Sequence, residues 1–562
     1  MSTTITKIKT FGVAIPPATA SIKLLTGSAV LNLLNDEAFL DGWNRLNNAC
    51  PWATVFQHPS FVATWYRVYE NDWLPVLIKG EQAGKLTGLL TLAMDKKGLI
   101  TGAGANQAEY QVWITADAND EAFIKNALQV LRRTFPRKKV LLKYVPAGVS
   151  LVFTKKDPVF KKRCFVKTSP QPVMLIDEAH FTSELKKKNR REKINRLKKM
   201  GELSFERITG FNRFVGVFDE LALQSDFRKG AMYNKVAFKT DPWRKKFLLL
   251  LFQQNILHTT LLKINDKIVS ANVSIGDNRQ LHLQGINSFD AAYARYSPGI
   301  IHFLMLGKLL AQEGATVFDL TPGADGYKET LATDYSVAHT LSIGNNYHGF
   351  TNRLKTGLNN YLKNAATSIG IKRDVFKKGQ RSYILLRGKC MHMARQGVAS
   401  FFALFFNKLK STRKTSKCWV VCKGFATSGL LNCRRDDLHH LLQYDQQGSW
   451  YSRQEFLADA MDRFTAGGHC YSWAEDGRLL ACVWIASAPA ENTAYKFVHE
   501  TEGFIISLSA LYCNPKGRKQ FPLFLRSLGN VLALDNPHSS FYLLTDRNED
   551  RAFEKAGFYR LQ

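Results

Sequence analysis

Hydrophobic and polar positions in the first two-thirds of the chain follow one pattern twice. In each copy, two alternating strands joined by a tight turn precede a third strand, a helix with an apolar face and a fourth strand. The first copy places these elements at residues 75–93, 98–106, 121–135 and 138–146, and the second at residues 260–275, 280–288, 299–314 and 316–323. The repetition predicts two similar units of α/β structure with mixed sheets.

A third set of strands and helices follows near the C-terminus. A hairpin centred on Asp476 and Gly477 precedes a strand, a helix, a strand and a short terminal helix. The predicted units are a first repeat at residues 30–165, a second at 166–370, a basic amphipathic connector at 371–417 and a C-terminal domain at 418–562.

Composition indicates a globular protein. Of the 562 residues 45% are hydrophobic and 12% aromatic, which is enough for several cores. No apolar run before Pro16 resembles a secretory signal, and the apolar runs at 247–252 and 398–406 are too short to cross a bilayer. Nine scattered cysteines do not indicate a disulfide framework. We therefore expect a cytoplasmic location.

The formal charge of +30 is concentrated in two runs. Residues 186–199 hold nine basic residues and one acidic residue, and the connector 371–417 holds thirteen and one, whereas residues 418–562 are nearly balanced with fifteen and sixteen. Such a field attracts anionic partners. The first run also fits a solvated helix face, and the connector fits either a helix at the inner face of an anionic membrane or a segment packed between domains.

The start of the second repeat's helix predicts an anion site. Ser297 is a favoured N-cap residue, Pro298 suits the first helical position and Gly299 allows close approach to the backbone. Free N–H groups there, including that of Ile300, together with the neighbouring Arg295, would hold a phosphate. The first repeat has acidic residues at the same place, so the second is the better candidate. A plainly capped core helix is the alternative.

The strand before this helix predicts a general base. Its period of two puts His282 on one face with Gln280 and Gln284, and a polar face on a central strand is typical of a cleft. An imidazole accepts a proton near neutral pH, although a hydrogen-bonded structural histidine is equally compatible. His302, within an apolar helix, is expected to pack.

Five residues are candidates for binding a substrate, one of which is Gln284 of the polar strand face. Asp319 and Asp325 could bind it, or could serve as turn and cap residues. Arg244 and Trp243 lie together in a basic stretch, where a sugar ring could stack on Trp243, or Trp243 could be a buried anchor.

Three stretches resemble the GNAT acyltransferase superfamily. They are the basic helix and strand at 183–208, the strand-to-helix stretch at 285–299, and residues 316–332 with their aspartate strand and Gly-x-x-x-Tyr-Lys. Their order is similar to the tandem arrangement of CelD/BcsL-type (BioF-like) acetyltransferases, which are related to Fem-type aminoacyl transferases. The resemblance covers about residues 40–360, although the general signature Arg/Gln-x-x-Gly-x-Gly/Ala is absent.

The resemblance implies an acyl-CoA-dependent acyltransferase, with acetyl-CoA as the expected donor and no metal. It places the pyrophosphate of the donor at Ser297–Ile300, and Tyr327 and Lys328 near the reacting centre. There Lys328 would stabilise oxyanion charge and Tyr327 would protonate the leaving thiolate. A surface charge is the alternative for Lys328.

The family suggests a sugar, polysaccharide or envelope precursor as acceptor. Two other functions stay open. One is Fem-like transfer from aminoacyl-tRNA, the only one of these functions that has a nucleic-acid partner. The positive charge permits it. Fem-type enzymes, however, often have a long helical hairpin, whereas this sequence predicts a single basic helix at 183–201. The other is a non-catalytic assembly protein of an envelope polysaccharide system at an anionic membrane surface.

The C-terminal domain also resembles a GNAT domain, at Asn548, Ala552 and Gly557-Phe558. Its phosphate loop has one glycine, and Phe553 stands where many such enzymes have a tyrosine acid. We therefore expect a degenerate copy, which either serves binding or assembly or holds a donor through Lys516, Gly517, Arg518 and Lys519.

A zinc site near the start of this domain is not expected. The cysteines and histidines that could form one are Cys418, Cys422, Cys433, His439 and His440. Their spacing lacks the strong Cys-x-x-Cys pairs of zinc-binding motifs.

Overall fold

The structure is a computed structural model. It describes residues 21–116, 121–277, 279–323, 325–368, 385–386, 388–394, 417–421, 431–447, 449, 451–489, 504–535, 540–545 and 550–560. Most of the predicted connector, together with Cys422 and Asn548, lies outside the described residues.

Both repeats share one mixed sheet. Its strands are β1 (Ser21–Thr26), β2 (Leu74–Gln82), β3 (Lys85–Met94), β4 (Ile100–Gly102), β5 (Ile114–Thr115), β6 (Val140–Pro146), β7 (Cys164–Leu175), β8 (Leu203–Ile208), β9 (Leu257–Ile264), β10 (Lys267–Gly276), β11 (Gln280–Phe289), β12 (Val317–Asp319) and β13 (Asp334–Ile343). They lie in the order β1-β2-β3-β4-β6-β13-β7-β12-β11-β10-β9-β8, with β5 on β3. The mixed α/β fold predicted from the repeats is confirmed.

Helices cover this sheet. They are α1 (Ser28–Leu33), α2 (Glu37–Ala49), α3 (Pro59–Tyr69), α4 (Ala122–Thr134), α5 (Phe153–Lys156), α6 (Pro158–Arg163), α7 (Glu178–Lys186), α8 (Lys188–Lys198), α9 (Phe211–Tyr233), α10 (Ala237–Thr240), α11 (Trp243–Gln253), α12 (Pro298–Gln312), α13 (Gly326–Leu331) and α14 (His348–Ser368). In each repeat one helix, α4 or α12, connects two parallel neighbouring strands, β4 to β6 or β11 to β12.

Two strands cross between the repeats at the centre of the sheet. Strand β7, which follows the first repeat in the chain, pairs with β12 of the second, while β13 of the second repeat pairs with β6 of the first. Strands β7 and β13 also pair with each other along ten residues. The boundary predicted between residues 165 and 166 thus falls inside β7, and the two repeats form one hydrogen-bonded body.

The basic helix predicted at residues 183–201 is two helices. Lys187 has an extended ψ of 139° and separates α7 from α8. The two helices bury their apolar residues in different clusters: Phe181 of α7 packs with Phe303 and Leu304, whereas Leu197 of α8 packs with Leu262 and Ile301. The break at Lys187 changes the direction of the chain, so that each helix packs against its own cluster. The prediction of one continuous helix was wrong.

The C-terminal domain has its own sheet. Its strands are β14 (Lys417–Val421), β15 (Arg434–Arg435), β16 (His469–Glu475), β17 (Arg478–Pro489), β18 (Phe504–Cys513), β19 (Ser540–Thr545) and β20 (Phe558–Arg560), in the order β15-β16-β17-β18-β19-β14-β20. Its helices are α15 (Leu438–Leu442), α16 (Arg453–Ala466), α17 (Phe521–Asp535) and α18 (Asp550–Lys555). The β16–β17 turn is the hairpin predicted from sequence, with positive φ at both Asp476 and Gly477.

Helix α16 joins this domain to the second repeat. It packs on α9, where the rings of Phe464 and Phe227 meet edge to face at 6.1 Å. Among the described helices, none combines the length and the apolar character that a membrane crossing requires.

The packing of α12 against α7 depends on a glycine. A Cβ atom at Gly307 would lie 2.7 Å from the ring of Phe181, closer than carbon atoms can approach. We expect Gly307→Ala to lower the free energy of unfolding by about 1–3 kcal/mol, because the added methyl group would overlap the ring of Phe181 and force it to shift. Urea denaturation measures this change. The control is Gly216→Ala in α9, where no atom lies within 4 Å and where the better helix former should be neutral or stabilising by up to about 1 kcal/mol. Equal effects of the two substitutions would contradict the prediction.

Candidate active site

The sheet opens where β11 and β12 part. The two strands pair at three positions, the last being His282 with Asp319, after which β12 ends and β11 continues to Phe289. On the other side of β11 the register with β10 shifts between Val273 and Ile275, so that β11 bulges just beyond His282. Gly285 in this bulge has a φ of 122°, and a Cβ there would lie 2.4 Å from the carbonyl oxygen of Val273. The bulge therefore requires glycine. Because β12 ends at Asp319, the edge of β11 beyond His282 is unpaired by β12.

A buried carboxylate organises the parting point. Asp319 Oδ2 lies 3.0 Å from His282 Nδ1 and accepts hydrogen bonds from the Tyr110 hydroxyl at 2.5 Å and from Gln171 Nε2 at 3.0 Å. Asp319 Oδ1 accepts from the Thr321 amide at 2.7 Å. Since an ionised carboxylate only accepts, Nδ1 of His282 carries the hydrogen and donates a hydrogen bond to Asp319, and Nε2 is the nitrogen with the free lone pair.

His282 itself is enclosed. Its side chain is 2% exposed and lies between the rings of Phe56 and Tyr110, with centroids at 5.2 and 5.5 Å. Of the polar strand face predicted to line a cleft, His282 is therefore buried in an interior shared by both repeats, whereas Gln280 and Gln284 are half-buried.

The first repeat contributes two ionisable residues that the sequence reading missed. Glu109 and Tyr110 lie on the loop after β4 and are both buried. Burial raises the pKa of Tyr110 well above its usual value, and the nearby Asp319 adds to this effect. Burial also raises the pKa of Glu109, against the opposing charges of Lys143 and Lys328. No motif marks these residues, because they reach the second repeat's site only through the packing of the two repeats.

Lys328 is buried, which excludes the alternative of a helix-surface charge. Its side chain is 7% exposed, and Nζ donates to the carbonyl oxygen of Thr321 at 3.0 Å and to Thr321 Oγ1 at 3.1 Å. Burial lowers its pKa, although Asp325, Glu109 and Asp319 act in the opposite direction. Thr321 has a positive φ of 63°, which is rare for a β-branched residue. Such strained backbone often accompanies functional loops.

Tyr327 contacts a different set of residues from its neighbour Lys328. Its ring stacks on Phe303 with centroids 6.3 Å apart, and the guanidinium of Arg228 lies 5.6 Å from the ring centroid. Burial raises the pKa of Tyr327, so its hydroxyl stays protonated at neutral pH. Asp325 accepts a hydrogen bond from the Tyr233 hydroxyl at 2.7 Å and lies 3.9 Å from Lys328 Nζ.

At the start of α12, Ser297 does not cap the helix with its side chain. It adopts a left-handed conformation with φ of 55°, and its Oγ accepts from Lys193 Nζ of α8 at 2.8 Å. The Ile300 amide donates to the Ser297 carbonyl oxygen at 3.1 Å, so it is not free as predicted. Gly299 has ordinary space around it, since a Cβ would lie 3.6 Å from Phe289.

The capping role predicted for Ser297 and the free amide predicted for Ile300 were therefore wrong. The positive character of this end is retained, because α8 brings Lys193 Nζ within 2.8 Å of Ser297 Oγ.

Arg295 lies at the contact with the C-terminal domain. Its guanidinium is 5.1 Å from the Tyr296 ring, and a Cβ at Gly467 would lie 2.6 Å from its Nη1. Trp243 is 37% exposed at the start of α11, with Lys246 Nζ 6.0 Å from its ring, so it is not a buried anchor.

Arg244 and Gln284 meet beside the bulge. Gln284 Nε2 donates to the carbonyl oxygen of Asn106 at 3.0 Å, and Arg244 Nη2 lies 3.5 Å from the carbonyl oxygen of Gly285. The Arg244 guanidinium is 5.1 Å from the Phe238 ring, and its Nε is buried without a hydrogen-bond partner in the described part of the chain. Arg244, Gln284 and Gln107 line a small cavity beside the bulge.

His302 packs, as its apolar helix predicted. It is 1% exposed, its Nε2 lies 2.8 Å from Thr260 Oγ1, and burial lowers its pKa to about 3. In the C-terminal domain Phe553 is fully buried in the core, while Lys516, Arg518 and Lys519 are exposed around the buried Gly517.

For zinc, the described residues contain no group of three His, Cys, Asp or Glu side chains that could hold a metal ion. Cys433, His439 and His440 belong to the described residues, and His440 Nδ1 lies 3.1 Å from Ser472 Oγ. The side chains of Cys418 and Cys422 lie outside the described residues.

Comparison with known families finds a similarity in the second repeat. Residues 185–329 match the family model described as an acetyltransferase (GNAT) domain. This part of the chain, which holds nearly all of the predicted site residues, is therefore similar to GNAT-type acetyltransferase domains. No curated protein sequence matches the chain.

Several solved structures are similar to part of the chain. FemX is 10% identical, covers 54% of this chain and 95% of its own, and has a TM-score of 0.38. L-PGS from Bacillus licheniformis is 12% identical, with coverages of 57% and 96% and a TM-score of 0.37. A tandem GNAT protein from the clavulanic acid biosynthesis pathway is 12% identical, with coverages of 57% and 98% and a TM-score of 0.36.

The buried His302 predicts a pH dependence of stability. Its pKa is about 3 in the folded protein and 6.5 when unperturbed, so between these values the unfolded chain binds one more proton. The contribution of the neutral, buried His302 to the free energy of unfolding is therefore complete above pH 6.5 and is lost as the pH falls toward 3. We expect the free energy of unfolding, measured in urea across this range, to fall less steeply for His302→Gln. The control His180→Gln changes an exposed histidine and should leave the slope unaltered; equal slopes for all three proteins would contradict the prediction.

Proposed function

We propose that the protein is an acyl-CoA-dependent acyltransferase, with acetyl-CoA as its donor. The observation that carries this proposal is the position of Lys328. It lies within the GNAT match and is buried at the point where the sheet opens. A buried ammonium group held by Thr321 is suited to stabilise an oxyanion, because low polarity strengthens its interaction with developing charge.

The donor would enter at the parting of β11 and β12. Its pyrophosphate would lie at the start of α12, where the backbone dipole and Lys193 favour an anion. Ser297, Gly299 and Ile300 form this end of the helix. Arg295, two residues before Ser297, packs against Gly467 of the C-terminal domain and would add positive charge near this end of the helix.

The reaction would proceed by direct attack. An amine or hydroxyl of the acceptor forms a C–N or C–O bond with the thioester carbonyl carbon, and the C–S bond of the donor then breaks. Lys328 stabilises the intermediate oxyanion, and Tyr327 returns a proton to the thiolate. The proton of the acceptor goes to a base, for which there are two candidates, His282 and Glu109.

We favour Glu109 over His282 as the base. Both side chains are buried, but His282 Nδ1 is engaged with Asp319 and its ring contacts Phe56, whereas the charge of Lys328 acts on the pKa of Glu109. In this arrangement His282 and Asp319 hold Tyr110, and thereby fix the neighbouring Glu109. The raised pKa of Glu109 matches a carboxylate that takes up a proton.

For the acceptor, we propose an amino sugar, polysaccharide or envelope precursor, as the CelD/BcsL-type resemblance implies. Arg244 and Gln284 lie beside the bulge, Trp243 is exposed at the start of α11, and Asp319 and Asp325 lie at the two ends of the loop between β12 and α13. The C-terminal domain would serve binding or assembly rather than catalysis, because Phe553 is a core residue with no proton to give.

Transfer from an aminoacyl-tRNA is the second candidate. The exposed basic residues of α8, such as Lys188, Arg191 and Lys198, support it, since they could contact a phosphate backbone. A nucleic-acid donor would bind with strong salt dependence, whereas acetyl-CoA binding would depend on the start of α12.

The first test concerns the donor. We expect acetyl-CoA to bind in a calorimetric titration and the double variant Ser297→Asp, Gly299→Asp to lose this binding by more than about tenfold, because each carboxylate repels the pyrophosphate. The matched control Ser297→Asn, Gly299→Asn has the same shape without charge and should bind. Unaltered binding by the aspartate variant would show that the donor does not bind at the start of α12. Absence of binding to the unaltered protein, combined with salt-dependent tRNA binding, would favour the second candidate.

The second test concerns the reacting centre, with thiol release from acetyl-CoA measured against a panel of amino sugars. We expect Lys328→Met to lower kcat at least about 100-fold without weakening donor binding, because the oxyanion loses its charge partner. Lys308→Met, at an exposed position on α12, is the control and should retain activity.

The same assay distinguishes the two bases. A base must be deprotonated, so the rate should rise with pH through the raised pKa of Glu109. Glu109→Gln should lower the rate and remove this rise from the pH–rate profile. If His282→Gln removes the rise instead, His282 is the base.

A further inference from the structure

A basic groove lies on the first repeat, at the end of the sheet where β4 and β6 begin and β13 ends. Its volume is about 790 Å³, and its floor is apolar, with Leu128, Phe135 and Phe160 among the residues that form it. Its cationic residues are Arg132, Arg133, Arg137, Lys138 and Arg163. No acidic residue lines it in the part of the chain that the structure describes, and none of the candidate active-site residues belongs to it.

An exposed apolar stripe continues from this groove along α14. It begins at Tyr347, which lines the groove and is 72% exposed, and continues through Phe350, Leu354 and Leu358 at 61%, 65% and 60% exposure. Their spacing of three, four and four residues places them on one side of the helix. Exposed aromatic and aliphatic side chains in such a row are typical of a surface that meets a second apolar phase.

The first turns of α14 are fixed to the groove wall. A Cβ at Gly349 would lie 2.6 Å from the carbonyl oxygen of Cys164, so the helix crosses this backbone at contact distance. Arg353 donates to the carbonyl oxygens of Lys161 at 2.8 Å and Cys164 at 3.4 Å, and Arg163 Nε donates to Asn346 Oδ1 at 2.6 Å. The stripe and the cations of the groove therefore belong to one surface of fixed geometry.

We propose that this surface docks on an anionic lipid bilayer. The arginine groove would take lipid phosphate groups, and the stripe of α14 would enter the boundary between headgroups and acyl chains. Charge complementarity selects the occupant. The connector at residues 371–417 holds thirteen basic residues and one acidic residue, and a second copy would bring the same cations, so both would be repelled. A nucleic acid would match the arginines but would leave the four apolar residues in water.

The experiment is co-sedimentation of the full chain with vesicles of phosphatidylcholine alone or mixed with phosphatidylglycerol. We expect binding to the mixed vesicles only, and no competition by inorganic phosphate at the concentration of lipid phosphate. Phe350→Ser, Leu354→Ser should reduce the affinity more than about tenfold, because two side chains lose their apolar surroundings. Arg132→Gln, Arg133→Gln, Arg137→Gln should reduce it by about fivefold for each charge, or ~1 kcal/mol per basic residue near an anionic surface.

Two control variants make the result specific. Lys188→Gln, Arg191→Gln, Lys198→Gln removes the same charge from exposed positions on α8 and should bind as the unaltered chain does, and Arg132→Lys, Arg133→Lys, Arg137→Lys should keep the binding. The proposal is overturned if the unaltered chain does not sediment with the mixed vesicles, if the α8 variant loses as much affinity as the groove variant, or if the groove residues affect binding of an RNA but not of vesicles.

Discussion

The candidate site depends on the carboxylate of Asp319. A buried charge is costly unless hydrogen bonds replace the water it has lost, and here four donors do so: His282, Tyr110, Gln171 and the backbone amide of Thr321. These donors come from strand β11, the first repeat's loop, the crossing strand β7 and the loop between β12 and α13, the helix that carries Lys328. The carboxylate therefore holds together the backbone of both repeats at the place where the sheet opens.

The exchange of β7 and β13 makes this arrangement possible. Because β7 lies next to β12, Gln171 reaches Asp319, and because the sheet continues into the first repeat, the loop after β4 lies against the second repeat's opening. The two repeats have equivalent folds but unequal roles. The second provides the opening between parallel strands, and the first provides Glu109 and Tyr110, which close it from the other side.

Positive charge has a different structural setting in each part of the chain. Lys193 of α8 is engaged with Ser297 at the start of α12, where its own pKa is lowered by burial and by the neighbouring arginines. The arginines of the first repeat surround an apolar groove instead. A formal charge of +30 is therefore not one uniform field, and its two described centres fit ligands of different size.

The sequence alone determined the repeated elements, their order and the fold class, because alternation in strands and periodicity in helices depend on neighbouring residues only. It also determined the hairpin at Asp476 and Gly477, the packing of His302 in its apolar helix, and the resemblance of the second repeat to GNAT domains. Such features need no knowledge of what lies across the sheet.

Tertiary structure decided the rest. The split between α7 and α8 follows from two separate apolar clusters, and the side chain of Ser297 is drawn from its helix by Lys193, which is distant in sequence. Glu109 and Tyr110 carry no motif and enter the site through the crossing of β7 and β13. The burial of Lys328 depends on a strained loop at Thr321. Each of these features arises from contacts between segments far apart in the chain, and no local pattern records such contacts.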